Sequence, residues 1–443
     1  MSALRFPTRA VCGPALACAL AAGCATPPAA SPDPAPAVTA FTGATVWTGT
    51  GDPPIPGAVL VVGQGRVQAL GRAGDVDIPD GARRVALDGH WIVPGLVNAH
   101  GHVGVARGLD TGEAAGTLAN MGEQLALYAR YGVTSVVSLD EPNYNGVELS
   151  TGNDAPDLQR ARLHVSGPYM DPATPGDVRG QLRERLARGV DWGKIRVDDQ
   201  LGSREKMDPA TYAEVVARAH EAGLPVTAHI VALEDAQGLV ANGVDVIGHS
   251  VRDRPVDEDL AAAMREAGTC LHPTLTREVS TYVYRDRPEF FDDPFFLREA
   301  DPAVVRDLQT PEVQARFTGL HAEWYRNQLP VAVDNMVRLH RGGVRIAFGT
   351  DSGPPARFQG YFEHMEMAMM QAAGLSPEEV LVSATRVAAE CMRLEGVGVL
   401  REGAHADLLV VRGNPLEDVA NLRRIEQVWI AGNPVPGARF DGE

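Results

Sequence analysis

The sequence has little cysteine. Only five of its 443 residues are cysteine, and three of these, Cys12, Cys18 and Cys24, fall within the first 24 positions. The other two, Cys270 and Cys391, are too few for a disulfide framework or a cysteine-based zinc site. A metal ion held by the folded part of the chain must therefore be bound by histidine, carboxylate or another oxygen donor.

Runs of basic residues and long apolar segments are also missing. The formal net charge is -17, whereas nucleic-acid binding needs clustered Lys and Arg that displace counterions from phosphates. Apolar residues make up 44% and charged residues 22% of the chain, as in ordinary soluble globular proteins. These features exclude a nucleic-acid partner and a multi-span membrane protein, and they favour a soluble fold of enzyme size.

Residues 1–24 form a predicted signal peptide. Arg5 and Arg9 precede an apolar stretch over residues 10–22, which is too short for a permanent membrane-spanning helix. The segment ends in LAAGC, which resembles a bacterial lipoprotein cleavage site with Cys24 as the lipidated residue, and a Pro/Ala-rich tether follows over residues 25–38. The alternative is an ordinary signal peptide that contains a cysteine. Either predicts export, to the periplasm or to the bacterial envelope through a lipid anchor at Cys24.

The sequence pattern after the tether predicts an α/β fold, with a (β/α)8 TIM-like barrel and a small β-sandwich. Short β-branched runs between Gly and Pro turns fill residues 39–94 and return in residues 393–443, which predicts that both chain ends form one β-sandwich domain. Residues 95–392 alternate strand-like and helical patterns, as parallel barrel units do. The eight predicted strands lie near residues 95–99, 134–138, 163–166, 193–197, 225–229, 244–249, 269–273 and 345–349.

His100 and His102 stand two positions apart at the end of the first predicted barrel strand. In a strand, such residues point to the same side, so two imidazoles can converge on one cation. A single His-x-His pair often arises by chance, as two packed or surface histidines.

Three more candidate ligands follow the ends of other predicted strands: His229, His249 and Asp351. Barrel active sites lie at the carboxyl ends of the strands. Each residue alone is more often a buried, hydrogen-bonded polar group. Together with the His-x-His pair, they predict a metal site at the barrel mouth.

Three segments carry a resemblance to the amidohydrolase superfamily, in the branch that includes imidazolonepropionase-like and Xaa-Pro dipeptidase-like enzymes. They are PGLVNAHGH at residues 94–102, GTDSG at residues 349–353 and GVLREGAHADL at residues 398–408. The resemblance covers nearly everything after the tether. The last segment is a marker of the β-sandwich and has no chemistry of its own.

The resemblance implies a binuclear metal centre with Lys194 as an additional ligand. In similar enzymes a lysine at the end of the fourth strand is carboxylated, and its carbamate bridges two divalent metal ions, with zinc (Zn2+) as the default pair. His100, His102 and Asp351 would hold the first ion and His229 and His249 the second. A metal-bridging hydroxide would attack the substrate, with Asp351 as the general base. The alternative for Lys194 is a surface ion pair with a nearby aspartate.

Substrate contacts are predicted for five further residues. Arg196 lies on the same side of its strand as Lys194 and could bind a substrate carboxylate, or pair with Asp198. The others begin the long connection over residues 275–328, or lie just before it, where packing is the alternative role. They are His272, Arg277, Tyr282 and Tyr284.

These features predict a metal-dependent hydrolase that cleaves an amide C–N bond in a peptide, an N-acyl amino acid or a cyclic amide, so that its partner is a small-molecule substrate. The same site could instead open a lactone or another ester. A mononuclear aminohydrolase would leave Lys194 without a role. The other alternative is a non-catalytic envelope lipoprotein that binds a small molecule. Competent residue types at all six metal-ligand positions argue against it.

Overall fold

The structure is a computed structural model that describes residues 38–442. The predicted signal peptide, the lipidation site at Cys24 and the tether up to residue 37 lie outside the described residues. Within residues 38–442, no helix has the length and apolar character needed to cross a bilayer.

The strands fall into three groups along the chain. Six precede the central region: β1 (Thr39–Thr42), β2 (Thr45–Val46), β3 (Ala58–Gly63), β4 (Arg66–Arg72), β5 (Arg83–Ala86) and β6 (His90–Pro94). Seven lie within it: β7 (Leu96–Gly101), β8 (Val133–Ser138), β9 (Arg162–Val165), β10 (Gly193–Arg196), β11 (Val226–His229), β12 (Val246–Gly248) and β13 (Cys270–His272). Three follow it: β14 (Leu408–Arg412), β15 (Ile425–Ile430) and β16 (Asn433–Pro434).

Fourteen α-helices lie between these strands in the described part of the chain. They are α1 (Leu118–Arg130), α2 (Asn145–Ser150), α3 (Val178–Arg188), α4 (Pro209–Glu221), α5 (Leu233–Ala241), α6 (Glu258–Ala267), α7 (Leu275–Ser280), α8 (Pro294–Leu297), α9 (Pro302–Asp307), α10 (Pro311–Gln314), α11 (Leu320–Arg341), α12 (Tyr361–Ala372), α13 (Pro377–Val382) and α14 (Ala388–Cys391).

The two ends of the chain build two sheets over a shared core. One sheet has the order β4-β3-β1-β5 and the other the order β16-β15-β14-β6-β2. The antiparallel pairing of β14 with β6, from Leu408 opposite Pro94 to Arg412 opposite His90, joins the two chain ends. Alternate apolar residues of both sheets, including Phe41 and Trp429, form one buried cluster, because side chains on a strand alternate between its two faces.

The central strands are parallel and are linked edge to edge in a cyclic order. β7-β8-β9 form one sheet and β10-β11-β12-β13 another. The Val165 carbonyl at the end of β9 accepts hydrogen bonds from the amides of Asp191 and Trp192, just before β10, at 2.8 and 3.2 Å. Met170, five residues after β9, forms a parallel bridge with Ile195 of β10. The segment around Ile346 bridges β13, and the Phe348 carbonyl accepts a hydrogen bond from the Ala99 amide of β7 at 2.8 Å. The carboxyl ends of these strands therefore lie at one edge of the sheets.

The helices between the strands begin and end at typical capping residues. The Asp208 side chain accepts hydrogen bonds from the first free amides of α4, which has Pro209 at its first position. The Asp257 side chain caps α6, and Gly268 ends that helix at φ 72°, a left-handed conformation that glycine adopts without steric cost.

The long connection after β13 is a set of short helices around an aromatic cluster. Phe291, Phe295 and Phe296 are buried, and their rings contact Tyr361 or each other at centroid distances of 5.2 to 6.4 Å. Most of this segment therefore packs against the rest of the protein. Only its first helix, α7, approaches the predicted metal site.

Cys270 on β13 and Cys391 at the end of α14 form a disulfide bond across 121 residues. The sequence pattern does not pair these two cysteines. Both side chains are buried, so the bond ties a central strand to the helix that leads back to the C-terminal strands.

Candidate metal centre

His100, His102 and Asp351 form a buried cluster at the end of β7. The Asp351 carboxylate contacts His102 Nε2 directly and lies 3.7 Å from His100 Nε2. One donor atom from each of the three residues lies within 4.8 Å of the others, which is close enough for all three to bind one cation. Imidazole and carboxylate are ordinary ligands of divalent zinc.

Lys194 lies on β10 beside this cluster. Its Nζ is 3.1 Å from His100 Nε2, and only 4% of the residue is exposed. Burial lowers the pKa of Lys194 to about 8, although Asp351 opposes this shift. Lys194 is therefore an internal residue of the site rather than a partner in a surface ion pair.

His229 and His249 lie next to each other, and His249 also lies beside His100. Their ring centroids are 4.2 Å apart, and that of His249 is 4.8 Å from that of His100. Burial lowers the pKa of His229 to about 3, and burial followed by the neighbouring His229 lowers the pKa of His249 well below its usual range. Both rings are therefore neutral at pH 7, which is the form that binds metals.

Each of these four histidines has one ring nitrogen next to a second residue. Such partners fix the tautomer and orientation of a metal-binding imidazole. His102 Nδ1 lies 3.4 Å from the Asp140 carbonyl oxygen, His100 Nδ1 3.4 Å from His272 Nδ1, His249 Nδ1 2.6 Å from Thr274 Oγ1 and His229 Nε2 3.1 Å from Asp198 Oδ1. The Nε2 atoms of His100 and His102 face two other candidate ligands, Lys194 and Asp351. This arrangement is compatible with one cation shared by the cluster.

Backbone conformation at the site is strained. His249 has φ 87°, Asp351 φ 58° and Thr274 φ 48°. Residues with a Cβ atom rarely adopt positive φ, and for a β-branched residue such as Thr274 it is a genuine outlier. Strain of this kind persists only where surrounding contacts hold it, and it concentrates at functional sites.

A cavity of about 290 Å³ opens onto the cluster. Two of the five predicted substrate-contacting residues, Arg196 and Arg277, line it. Tyr282, Tyr284 and His272 do not. Tyr284 is fully buried in the aromatic cluster and donates its hydroxyl hydrogen to the Ala356 carbonyl at 2.5 Å, so the predicted pocket role is wrong for this residue. His272 is buried beneath His100.

The cavity is rich in cationic groups. Its lining includes four cations, Lys194, Arg196, Arg277 and Arg357, and two carboxylates, Asp140 and Asp351.

These cations are unevenly paired. Arg357 Nη1 lies 2.5 Å from Asp351. Arg277 shares Glu278 with the fully buried Arg252, at 3.1 Å each. Arg196 stacks over the Tyr169 ring at 5.4 Å, and within residues 38–442 it has no carboxylate within ion-pair distance. Among the three arginines that line the cavity, Arg277 and Arg357 therefore have a carboxylate at ion-pair distance and Arg196, within the described residues, does not.

No sequence pattern marks Arg357 or the roles of Asp198 and Tyr169. Arg357 lies six residues after Asp351 in an irregular loop, so no periodicity marks it. Asp198 appears only as an ion-pair alternative for Lys194 and Arg196. The structure places its carboxylate against His229. Burial raises the pKa of Asp198, but His229, Arg196 and the Gln200 amide together outweigh burial, and the net pKa lies below the ordinary value.

The chain is similar to proteins of one enzyme family. A sequence profile described as the amidohydrolase family matches residues 91–435. Imidazolonepropionase of Streptomyces avermitilis is 24% identical over 399 residues, which cover 86% of this chain and 87% of that protein. An uncharacterized protein of Mycobacterium tuberculosis is 25% identical over 354 residues, covering 78% of this chain and 85% of its own.

A solved structure is similar over a comparable length. The crystal structure of a Xaa-Pro dipeptidase with bound methionine in its active site matches with a TM-score of 0.72. The match covers 90% of this chain and 99% of that one at 21% identity, so it establishes similarity of fold alone.

Proposed function

Because the chain belongs to the amidohydrolase family, we propose that it is a metal-dependent hydrolase that cleaves an amide C–N bond in a small anionic substrate. The observation that carries this proposal is the buried cluster in which His100, His102 and Asp351 lie within reach of one cation. Lys194, His229 and His249 lie directly beside it.

We propose that the cyclic order of parallel strands is a (β/α)8 barrel, with the terminal sheets as a β-sandwich beside it. Seven strands and the Ile346 segment account for the eight barrel positions. The cluster then lies at the carboxyl ends of the strands, where barrel enzymes carry their active sites.

The donor set fits two divalent metal ions, with zinc as the default pair. His100, His102 and Asp351 would hold one ion, and His229 and His249 the other. Lys194 would bridge them after its neutral amine adds to CO2 and loses a proton to form a carbamate. The neutral amine is the reactive form, so the lowered pKa of Lys194 supports this modification.

When bound, such ions lower the pKa of a water molecule and polarise the scissile carbonyl. Asp351 accepts the proton of the attacking water and passes it to the leaving nitrogen. Burial raises the pKa of Asp351, but Arg357 and His102 outweigh it, and the net pKa lies well below the ordinary value. Asp351 is therefore ionised at neutral pH and ready to accept a proton.

Arg196 and Arg277 would bind a carboxylate of the substrate. Both lie close enough to His229 to lower its pKa, so they flank the same end of the site. Arg196 is without a carboxylate partner in the described part of the chain. Arg277 Nε lies 3.8 Å from Asp351 Oδ2 and has no hydrogen-bond partner among the described residues. Guanidinium groups suit planar carboxylates. The cavity of about 290 Å³ lies at the small end of the range for ligand sites.

Dipeptides and N-acyl amino acids meet these requirements, because their leaving amine carries a carboxylate. Neutral lactones and esters carry no carboxylate for Arg196 and Arg277 to bind. This chain shares its fold with a Xaa-Pro dipeptidase, an enzyme named for dipeptide substrates, which supports a dipeptide as the substrate type.

The test is a substrate screen on metal-reconstituted protein, paired with metal analysis. Dipeptides, N-acyl amino acids, cyclic amides and lactones are compared at equal concentration. We expect anionic amides to be hydrolysed fastest and about two metal ions per chain. Turnover of lactones alone would overturn the amide assignment. Release of ammonia with one metal ion per chain would indicate a mononuclear aminohydrolase, and metal-free, inactive protein would leave a ligand-binding role.

We also propose export, with the chain anchored through a lipid on Cys24. The disulfide between Cys270 and Cys391 supports this location, because disulfides persist mainly in oxidising compartments. Replacing Cys24 with alanine should move the protein from the membrane fraction to the soluble fraction of the envelope. If the unaltered protein is already soluble there, the N-terminal segment is an ordinary signal peptide.

A further inference from the structure

Helix α12 carries two fully buried carboxylates that the proposed reaction does not use. Glu363 and Glu366 are both 0% exposed, and their three-residue spacing places them on the same side of the helix. Burying an ionised carboxylate is costly unless hydrogen-bond donors replace its water. Both groups have such donors. One is the Gly360 amide at the start of α12, which donates to Glu363 Oε2 at 2.6 Å. The other donors lie on the segments that carry or adjoin the candidate metal ligands.

Glu363 connects the two chain segments that carry His100 and Asp351. Its Oε1 accepts hydrogen bonds from Asn98 Nδ2 at 2.7 Å and from the hydroxyls of Thr350 and Ser352 at 2.7 and 2.6 Å.

These donors adjoin the ligands directly. Thr350 and Ser352 are the immediate neighbours of Asp351. Asn98 uses its other amide atom, Oδ1, to accept a hydrogen bond from the His100 amide at 3.0 Å. A single carboxylate therefore fixes both sides of the His100–Asp351 contact, including the strained backbone at Asp351.

Glu366 forms hydrogen bonds with the segment beside His249. It accepts hydrogen bonds from the amides of Leu275 and Thr276 and from the Thr276 hydroxyl, each at 2.7 Å. These amides begin helix α7, where free N–H groups favour a negative charge. The preceding residue is Thr274, held at φ 48°, and its hydroxyl lies 2.6 Å from His249 Nδ1.

We propose that Glu363 and Glu366, the α12 carboxylate pair, are positioning residues for the two halves of the metal centre. Glu363 holds the half formed by His100, His102 and Asp351, and Glu366 holds the half that contains His249. The proposal rests on the metal-dependent function proposed above. Outer partners of this kind typically change metal affinity by about 10- to 100-fold when they are replaced.

The same helix offers a matched control in His364. Its ring is buried and its Nε2 lies 2.8 Å from the Tyr131 carbonyl oxygen. It packs against the rings of Tyr131 and Phe295, not against the metal-binding segments. Replacing His364 therefore perturbs the packing of α12 without touching the hydrogen bonds of the carboxylate pair.

The experiment measures zinc affinity by chelator competition in the full chain, together with the thermal stability of the metal-free protein. The variants are Glu363→Gln, Glu366→Gln and His364→Gln, with Asp351→Asn and His249→Asn marking the two metal-binding events. We expect Glu363→Gln to weaken the event that Asp351→Asn removes, and Glu366→Gln the event that His249→Asn removes, by about 10- to 100-fold each. His364→Gln should lower stability with zinc affinity unchanged.

A milder variant keeps the test decisive if Glu366→Gln does not fold. Glu366→Asp keeps the charge but shortens the side chain, which draws the carboxylate away from the amides of Leu275 and Thr276, and it should weaken the same metal-binding event. Unchanged zinc affinity in the carboxylate variants, with a stability loss like that of His364→Gln, would overturn the positioning role. If the unaltered protein binds no zinc, manganese or cobalt, the proposed function itself fails instead.

Discussion

Arg357 Nη1 lies 2.5 Å from Asp351 Oδ2, while the same carboxylate contacts His102 through its other oxygen. The group that we propose as the general base is therefore held between a guanidinium and an imidazole. Both partners favour its ionised form. The basicity of Asp351 therefore depends on Arg357.

Replacing Asp351 with asparagine should abolish catalysis and leave the fold intact. Asparagine keeps the shape of the side chain but cannot accept a proton or supply an anionic ligand. We expect kcat to fall by at least about 100-fold, the lower end for loss of a general base. Turnover on the best substrate from the screen and far-ultraviolet circular dichroism are the measurements. Wild-type kcat in a correctly folded variant would rule out the proposed role.

Replacing Arg357 with methionine should move the acid limb of the pH–rate profile to higher pH. Arg357 lowers the pKa of Asp351, so its removal raises that pKa and protonates the base at a pH where the wild type is still active. The measurement is kcat/KM against pH, and the alkaline limb serves as the internal control. An acid limb that stays in place would mean that Arg357 does not tune this carboxylate.

Carboxylation of Lys194 should increase as pH rises through about 8. Burial lowers the pKa of this lysine to about 8 from the ordinary 10.5, and only the neutral amine adds CO2, so the reactive fraction grows above that pH. Metal-free protein treated with isotope-labelled bicarbonate can be followed by carbon NMR between pH 6 and 9. The Lys194→Met variant should show no carbamate signal. A signal of equal size in that variant would place the modification elsewhere.

Replacing Arg196 with methionine should weaken hydrolysis of anionic amides selectively. Within residues 38–442, the Arg196 guanidinium has no carboxylate at ion-pair distance. Its charge is therefore available to the substrate. We expect kcat/KM to fall by about 10- to 100-fold for an N-acyl amino acid, as for loss of a charge-assisted hydrogen bond, with little change for the matching N-acyl amino amide.

The exposed Arg183 on α3 supplies the control, since Arg183→Met removes the same charge far from the cavity lining. An equal loss for charged and neutral substrates in Arg196→Met would assign this residue a structural role.

The disulfide should contribute about 2 to 4 kcal/mol to the free energy of unfolding. It closes a segment of 121 residues and so restricts the unfolded chain. Urea unfolding of the oxidised protein and of Cys391→Ser measures the difference. Reductant should destabilise the wild type to the level of the variant and leave the variant unchanged. Equal unfolding free energies before and after reduction would show that the bond is dispensable.

The strand ends and their histidines could be predicted because their signals are local. Runs of apolar residues fix the positions of β7 to β13, and a residue that follows such a run lies at the carboxyl edge of the sheet. The eighth predicted strand, residues 345–349, is less regular: Ile346 forms an isolated bridge, and the Phe348 amide donates to the Ser383 carbonyl at 3.2 Å. The Phe348 amide is therefore bonded to the segment between α13 and α14 and not to a neighbouring strand. The sequence pattern of a strand does not predict this contact.

The sequence by itself therefore determined the α/β pattern, the family motifs and the candidate ligands His100, His102, Lys194, His229, His249 and Asp351. Only the tertiary structure decided which groups surround them. Arg357, Glu363 and Glu366 reach the site through contacts between segments far apart in the chain or through irregular loops, and the bond between Cys270 and Cys391 spans 121 residues. Tyr284 packs into the aromatic core for the same reason. Its neighbours are set by tertiary packing, which the periodicity of the sequence does not predict.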